Sequence, residues 1–266
     1  MSMSNTRLSV FTKPWKTMSI PALGKLVSGL GFQGIEFPLR DGFQVQPREA
    51  VEKLPLLGTQ LAAYGLKIMS VAGSTDETTF AACKAAGVPL IRIMLQADLK
   101  TGYLNCEQQW LRRLESLEPL CAKYGVRVGV QPHYGPGVFS TMELRHLLEQ
   151  CRGGHVGAIW DAAHSGLAGE EPEQALDIIW DRLLLVNLKS AFYERRIDGA
   201  SGAAVYRPYF TTGRDGAGSW PRIVAFLRER GYRGDVCMPA EYTDEANVER
   251  HIASDVAYVR ELLASG

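Results

Sequence analysis

The sequence lacks a net charge, because its 29 Lys and Arg side chains balance its 29 Asp and Glu side chains. Without a net field, the chain as a whole attracts neither nucleic acid nor an anionic membrane surface. No apolar run approaches the roughly 20 residues of a membrane-spanning helix. The N-terminus, MSMSNTRLSV, lacks the basic and then apolar pattern of a signal peptide. We therefore expect a soluble cytoplasmic protein that binds neither nucleic acid nor membranes.

Several chemical signatures are also missing from the sequence. Its five cysteines are widely spread and include no C-x-x-C pair, which favours reduced, buried thiols over a disulfide framework or a zinc site. No G-x-S-x-G elbow, Walker loop or H-E-x-x-H helix occurs. A serine hydrolase, a nucleotide-binding enzyme and a zinc peptidase therefore lack support.

The sequence does contain a regular alternation of short apolar runs with amphipathic segments. Eight runs have the length of a strand, namely RLSVFT, GIEFP, LKIMSVAG, PLIRIML, VRVGV, VGAIW, LLLVNL and DVCMPA. They are rich in Val, Ile and Leu, as parallel strands buried on both faces are. Eight such units in about 260 residues favour a closed barrel over an open doubly wound sheet. We predict an α/β fold with one domain, a (β/α)₈ TIM barrel over residues 1–266.

Four runs in the second half stop at polar residues, which are Gln131, Asp161, Asn187 and Glu241. In a (β/α)₈ barrel the active site lies at the C-terminal ends of the strands. The alternation of side chains along a strand allows all four residues to point into the same barrel mouth. The stretch from Phe192 to Ser219 follows the seventh run without a regular pattern, and we predict a functional loop there.

An ordered set of motifs accompanies these strand ends, namely Asp161-Ala-Ala-His164, Val-Asn-Leu-Lys189, Gly213-Arg-Asp-Gly-Ala-Gly218, Arg-Gly-Tyr-Arg-Gly234 and the last strand ending at Glu241. With these motifs the chain resembles the xylose-isomerase-like, or endonuclease-IV-like, barrel superfamily along nearly its whole length. Within that superfamily it resembles the sugar isomerase and epimerase branch. The loop from Gln131 to Ser140 is similar to the fifth-strand loop of inosose dehydratases.

The resemblance implies a divalent metal held by a carboxylate of strand five, an Asp of strand six, a His of strand seven and a Glu of strand eight. Asp161 and Glu241 match this pattern, whereas Gln131 and Asn187 replace the other carboxylate and the His. Amide oxygens bind hard cations without contributing charge, and the imidazole that Zn²⁺ prefers is lost. We expect Mg²⁺ or Mn²⁺ rather than Zn²⁺ on these four residues, and the two amides leave open whether any metal binds.

The resemblance also implies proton transfer next to a carbonyl. Glu241 is a candidate base, and His133 is a candidate substitute for the base that Gln131 no longer provides, because the pKa of imidazole lies near neutral pH. Lys189 is a candidate for stabilising a developing enolate. These three residues form the predicted catalytic set.

Four further residues are predicted to contact the substrate. Glu36 lies in the second run and looks like the superfamily's hydroxyl-binding carboxylate, and His164 follows Asp161 closely. Trp15 is a candidate wall of a sugar pocket. Arg214 lies in a glycine-flanked loop from which it can reach a phosphate or carboxylate. The expected partner is a small carbohydrate, and homo-oligomerisation is left open.

We therefore predict a metal-assisted isomerase or epimerase of a small sugar, keto-sugar or related polyol. A dehydratase or lyase acting on a cyclitol or keto-sugar stays open, because it needs one base and one acid rather than two bases. A third alternative is a catalytically retired barrel that binds a sugar or a partner protein. DNA repair of the endonuclease IV type is disfavoured, because three zinc ions would need a His-rich mouth.

Overall fold

The computed structural model describes residue 3 and residues 6–265, and most of its strands form one closed barrel. In chain order the strands are β1 (Leu8–Phe11), β2 (Gly34–Pro38), β3 (Lys67–Ala72), β4 (Leu90–Ile93), β5 (Arg127–Val130), β6 (Val156–Asp161), β7 (Leu183–Asn187), β8 (Ser190–Ile197), β9 (Ala204–Thr211) and β10 (Val236–Pro239). All except β8 and β9 pair in parallel, and β1 closes the barrel by pairing with both β2 and β10. The predicted (β/α)₈ TIM barrel is confirmed, and each of the eight predicted runs coincides with one barrel strand to within two residues at either end.

Helices separate the barrel strands and cover the outside of the barrel. They are α1 (Ile20–Gly29), α2 (Ala50–Ala62), α3 (Glu77–Ala85), α4 (Tyr103–Tyr124), α5 (Thr141–Gln150), α6 (Ala162–Leu167), α7 (Pro172–Ile179), α8 (Trp220–Glu229) and α9 (Val248–Ala264). Short 3-10 helices occupy Lys13–Trp15, Pro47–Glu49, Trp180–Arg182 and Glu245–Asn247. Among the described residues, no helix combines the length and apolarity that crossing a membrane requires.

Side-chain alternation along the strands divides the core into two parts. One face of the strands packs against the helices in a large apolar cluster that includes Val10, Ile35 and Val128. The other face fills the barrel interior with a second cluster formed by Phe11, Ala72, Leu90, Ile159, Leu185 and Cys237. Asp161 and Asn187 lie two residues beyond Ile159 and Leu185, so they continue the interior face into the C-terminal mouth.

The segment after β7 differs from the sequence-based prediction. Instead of an irregular loop, β8 and β9 form an antiparallel hairpin in register from Ser190 opposite Thr211 to Ile197 opposite Ala204. The prediction of an irregular stretch was wrong for these residues. The hairpin is largely solvent-exposed, and it therefore lacks the buried apolar runs by which the barrel strands could be recognised.

Candidate active site

A buried polar network lies in the barrel mouth at the ends of β4 to β7. The amide oxygen of Gln131 accepts a hydrogen bond from Nη1 of Arg92. Its Nε2 donates to Oδ2 of Asp161 at 2.6 Å, and Nδ2 of Asn187 donates to the same oxygen at 3.4 Å. A guanidinium can only donate and a carboxylate can only accept, so these neighbours determine which way the Gln131 amide points. Both amides therefore present nitrogen, not oxygen, to Asp161.

Asp161 is the centre of this network and also begins helix α6. Its Oδ1 accepts hydrogen bonds from the backbone N–H groups of Ala163 at 3.0 Å and His164 at 3.2 Å. The carboxylate thus has four donors, which matches its roughly four lone-pair sites. A side-chain cap of this kind typically stabilises a protein by about 1 kcal/mol. Asp161 is only 1% exposed, so these hydrogen bonds from uncharged N–H groups take the place of solvent around its carboxylate.

Arg92 and Glu36 extend the buried network on the other side of Gln131. Nε of Arg92 donates to Oε1 of Glu36 at 2.8 Å, and the hydroxyl of Ser70 donates to the same oxygen at 3.1 Å. The guanidinium carbon lies 4.7 Å from the centre of the Phe11 ring. Sequence reasoning missed Arg92, although a charged residue in the middle of the apolar run PLIRIML was an available signal. Glu36, predicted to bind substrate, is fully buried in this ion pair.

An open cavity of about 790 Å³ lies at the same end of the barrel. That volume is within the usual range for small-molecule sites. The loops after β1, β2, β5, β7 and β10 contribute to it, together with the hairpin, and the side chains that bear on its chemistry are Lys13, His133, Lys189, Phe210 and Glu241. Sequence reasoning missed Lys13 and Phe210. The signal for Lys13 was its position directly after the first strand.

Two ammonium groups hold Glu241 in this cavity. Nζ of Lys13 donates to Oε1 at 2.5 Å, and Nζ of Lys189 donates to Oε2 at 3.0 Å. Nζ of Lys189 also lies 3.9 Å from the centre of the Phe210 ring, in cation–π contact. Burial raises the pKa of Glu241, but the charges and hydrogen bonds of the two lysines outweigh it and hold this pKa well below its usual range. Glu241 is therefore an ionised carboxylate that takes up a proton poorly at neutral pH.

His133 is a neutral imidazole with a free ring nitrogen. Its Nδ1 lies 2.9 Å from the carbonyl oxygen of Tyr134. Since a carbonyl oxygen only accepts, the proton of the neutral ring is on Nδ1, and Nε2 keeps its lone pair. Burial lowers the pKa of His133, and the charge of Lys189 lowers it further, against the opposing hydrogen bond to Tyr134. At neutral pH the ring can therefore accept a proton at Nε2.

The loop that carries His133 is fixed by close backbone contacts. The N–H of His133 donates to the carbonyl of Val138, whose own N–H donates to the carbonyl of Leu95 after β4. Gly137 has a φ of 143°, and a Cβ at this position would lie 2.2 Å from the carbonyl oxygen of Leu95. Only glycine fits this approach, so the sequence PHYGPG holds the imidazole of His133 in place.

His164 packs directly beneath His133, with ring centres 4.4 Å apart. Its Nδ1 lies 3.5 Å from the backbone N–H of Tyr134, which donates to it. Burial is the main cause that lowers the pKa of His164 to about 3. The ring is therefore neutral, and it supports the loop that carries His133.

Two residues predicted to contact substrate lie away from the cavity. Trp15 is buried in the main apolar core. Nη2 of Arg214 donates to Glu261 of α9 at 3.0 Å, and the guanidinium lies over the Tyr258 ring. The preceding residue, Gly213, donates its N–H to Asp255 of α9 at 2.9 Å and so fixes the loop against that helix. The structure does not bring Trp15 and Arg214 together with the other predicted residues.

Comparison with known proteins places this architecture in a family. Residues 25–262 match the model of the xylose isomerase-like TIM barrel family. The chain belongs to this family. An inosose dehydratase of Lacticaseibacillus casei is 24% identical over 260 residues, which cover 85% of this chain and 87% of that protein.

Solved structures of similar fold carry several different activities. The probable 3-DHS dehydratase AsbF from Bacillus anthracis superposes with a TM-score of 0.74 at 13% identity, over 95% of this chain and 98% of its own. A D-psicose 3-epimerase crystallised in the presence of D-fructose gives 0.71 at 13% identity, over 97% and 99%. A family protein from Mycobacterium smegmatis, solved in complex with magnesium, gives 0.69 at 16% identity, over 100% and 99%. At these identities the likeness is one of fold alone.

The Mycobacterium smegmatis protein was solved with magnesium, but the residues predicted to hold a divalent metal in the present chain do not fit that role. Gln131 and Asn187 turn their NH₂ groups towards Asp161, and both oxygens of Glu241 are taken by ammonium groups. Among the buried oxygens of the four predicted ligands, only Asn187 Oδ1 accepts no hydrogen bond from a described residue. One neutral oxygen among saturated carboxylates and fixed cations is a poor site for a divalent ion.

Proposed function

We propose that the protein is an enzyme that removes a proton from the carbon next to the carbonyl of a small keto-sugar or cyclic keto-polyol, and that loss of water follows. The observation that carries this proposal is the presence, in one cavity, of a neutral imidazole with a free nitrogen and a buried ammonium group. His133 provides the base, and Lys189 provides the cation. A base and a fixed cation are what enolate formation requires.

Three residues of the open cavity act in the proposed reaction. Nε2 of His133 takes the proton, while Nζ of Lys189 binds the carbonyl oxygen and stabilises the enolate as it forms. Glu241 holds the Lys189 ammonium group in position. The protonated His133 then gives its proton to the β-hydroxyl group, which leaves as water while the enolate electrons form the new double bond. The net products are an unsaturated ketone and water, and no step uses a metal.

An isomerase or epimerase acting on the same class of ketone is the second candidate, because its reaction begins with the same enolate. It must also deliver a proton to the other face of the enolate. Glu241 lines the same cavity as His133, so it is a second group that could deliver this proton, and the isomerase or epimerase is therefore kept as a candidate. Two features oppose it: Gln131 cannot exchange a proton, and the lowered pKa of Glu241 makes it a weak base. The named inosose dehydratase relative also supports the dehydratase as first choice.

The test is solvent exchange and product formation in heavy water, with inosose and D-fructose as probes. We expect deuterium to enter the carbon next to the carbonyl and water to be lost from the cyclic ketone, followed by NMR and by the ultraviolet absorbance of the product. Exchange that yields an epimer without water loss would instead support the second candidate. Binding of the ketones without any exchange would contradict both and favour a retired, sugar-binding barrel.

A substitution of the proposed base sharpens this test. His133→Gln removes the free nitrogen and should slow exchange by about 10²- to 10⁴-fold, the usual range for a general base. The matched control is His146→Gln, because His146 lies on α5 and its side chain is 64% exposed. Equal exchange rates in His133→Gln and the wild type would show that another group moves the proton.

A further inference from the structure

A second cavity lies beside the barrel mouth, among the loops that follow β2, β3 and β4. It has a volume of about 290 Å³ and is lined by three arginines, Arg40, Arg92 and Arg113, together with Ser74 and Gln96. No Asp or Glu of the described chain lines it. We call this space the arginine cavity. Its lining carries three positive charges and no negative one, unlike the reaction cavity, where Glu241 compensates the lysines.

Arg40 has the fewest polar contacts of the three arginines. Its half-buried guanidinium lies 6.0 Å from the centre of the Phe11 ring, and its side chain makes no hydrogen bond or ion pair with any described residue. Burial lowers the pKa of Arg40 and the neighbouring charge of Arg92 lowers it further, and the carboxylates of Glu241 and Glu36 offset these effects only in part. A half-buried cation beside another cation is unfavourable unless an anion joins them.

The other two arginines are partly engaged and keep free donors. Arg92 uses Nε for Glu36 and Nη1 for Gln131, while its Nη2 donates to no described residue. Arg113 donates from Nη2 to the hydroxyl of Thr75 at 3.0 Å, which ties it to the loop after β3. Planar guanidinium groups bind carboxylates and phosphates through paired hydrogen bonds. The cavity is therefore pre-arranged with guanidinium donors and lacks their acceptor.

We propose that the arginine cavity binds one oxyanion, either a carboxylate or a phosphate group. Arg40 directly precedes residues 41–43, which line the reaction cavity, so the two cavities share one loop. The anion is therefore either a group of the molecule that fills the reaction cavity or a separate small anion. Arg214, the residue that the sequence predicted to bind an anion, does not line this cavity. The proposal does not depend on the reaction, because binding is measured without turnover.

The first test is calorimetric titration of the full chain with inorganic phosphate at constant ionic strength, with chloride as the reference anion. We expect one phosphate per chain in the wild type and at least a tenfold weaker association in Arg40→Met. The matched control is Arg214→Met, which removes a guanidinium outside the cavity and should bind phosphate as the wild type does. Phosphate that binds no better than chloride, or binds equally to Arg40→Met, overturns the proposal.

Two further variants guard against a folding defect in Arg40→Met, which circular dichroism would reveal. Arg40→Lys keeps the charge but loses the paired donors, and it should bind phosphate with intermediate affinity. Arg113→Met removes the more exposed guanidinium and should weaken binding by several-fold. Unchanged affinity in both variants would overturn the proposal even if Arg40→Met does not fold.

A competition experiment distinguishes the two sources of the anion. Fructose 6-phosphate and fructose are titrated into protein with and without saturating inorganic phosphate. If the phosphate ester binds more tightly than fructose and is displaced by inorganic phosphate, the cavity holds an anionic group of the molecule that enters the barrel mouth. If inorganic phosphate binds and neither sugar affects it, the cavity holds a separate anion. Both results presuppose the phosphate binding established by the first test.

Discussion

The barrel mouth has two sides that bind their carboxylates in different ways. On the buried side, Asp161 is surrounded by neutral N–H donors from Gln131, Asn187 and the start of α6. On the open side, Glu241 is held by the ammonium groups of Lys13 and Lys189. The resemblance in sequence had implied that these two carboxylates share one metal ion. Here the first organises local structure, and the second fixes cations that are available to a ligand.

The largest effect on activity should come from removing the Lys189 cation on the open side. Lys189→Met should lower the rate of deuterium exchange by about 10²- to 10³-fold, as the loss of one oxyanion-stabilising donor does. The effect should appear in kcat more than in KM, because the enolate carries more charge than the bound ketone. Lys16→Met is the control, since Lys16 lines the same cavity but is exposed. A change confined to KM would assign Lys189 to substrate binding alone.

On the buried side, the expected effect is on stability. Asp161→Asn replaces an acceptor by an amide whose NH₂ group would face other N–H donors, so buried hydrogen bonds and the helix cap are lost. We expect the free energy of unfolding to fall by about 3 kcal/mol. Urea denaturation measures this, and Asp41→Asn, at an exposed position, should change it by less than about 0.5 kcal/mol. A loss equal to that of the control would mean that the network is dispensable.

The sequence sufficed for the barrel because each strand is a continuous apolar run that a buried parallel sheet requires. It also placed Gln131, Asp161 and Asn187 together, since alternation along β5, β6 and β7 fixes their direction. The β8–β9 hairpin was not predicted, because its exposed strands carry no such apolar pattern. Local sequence is a good guide only where burial dictates it.

The orientation of the polar groups could not be read from the sequence. Gln131 offers oxygen or nitrogen equally well, and the choice depends on Arg92, which arrives from the neighbouring strand. Lys13 meets Glu241 across 228 residues of sequence. Such pairings exist only after barrel closure. The family pattern therefore predicted where the polar residues lie but not which atoms they present.

A smaller effect should come from pH, through His164 at the border of the two sides. The pKa of His164 is about 3 in the folded protein, against about 6.5 for an unfolded chain. Between these values the unfolded state binds more protons, so stability falls as pH decreases from 6.5 towards 3 and does not depend on this group above 6.5. The expected loss from His164 is about 2 kcal/mol between pH 6.5 and pH 5.

Urea denaturation at several pH values measures this dependence, and the variant His164→Gln isolates it from other groups. The variant should show a flatter decline of stability below pH 6.5 than the wild type. His146→Gln is the control, because that exposed imidazole should leave the decline unchanged. A decline as steep in His164→Gln as in the wild type would mean that His164 is not held neutral by burial.

The smallest expected effect is that of divalent metal on the wild type. Since the amide nitrogens face Asp161 and lysines occupy Glu241, titration with Mn²⁺, followed by electron paramagnetic resonance, should show no stoichiometric binding, and a chelator should not shift the melting temperature. A single tight Mn²⁺ that Asp161→Asn abolishes would show instead that the two sides rearrange around an ion. Asp161 and Glu241 would then have to leave their present hydrogen-bond donors to bind the cation. The difference between the buried and open sides would in that case describe only the metal-free state of the barrel mouth.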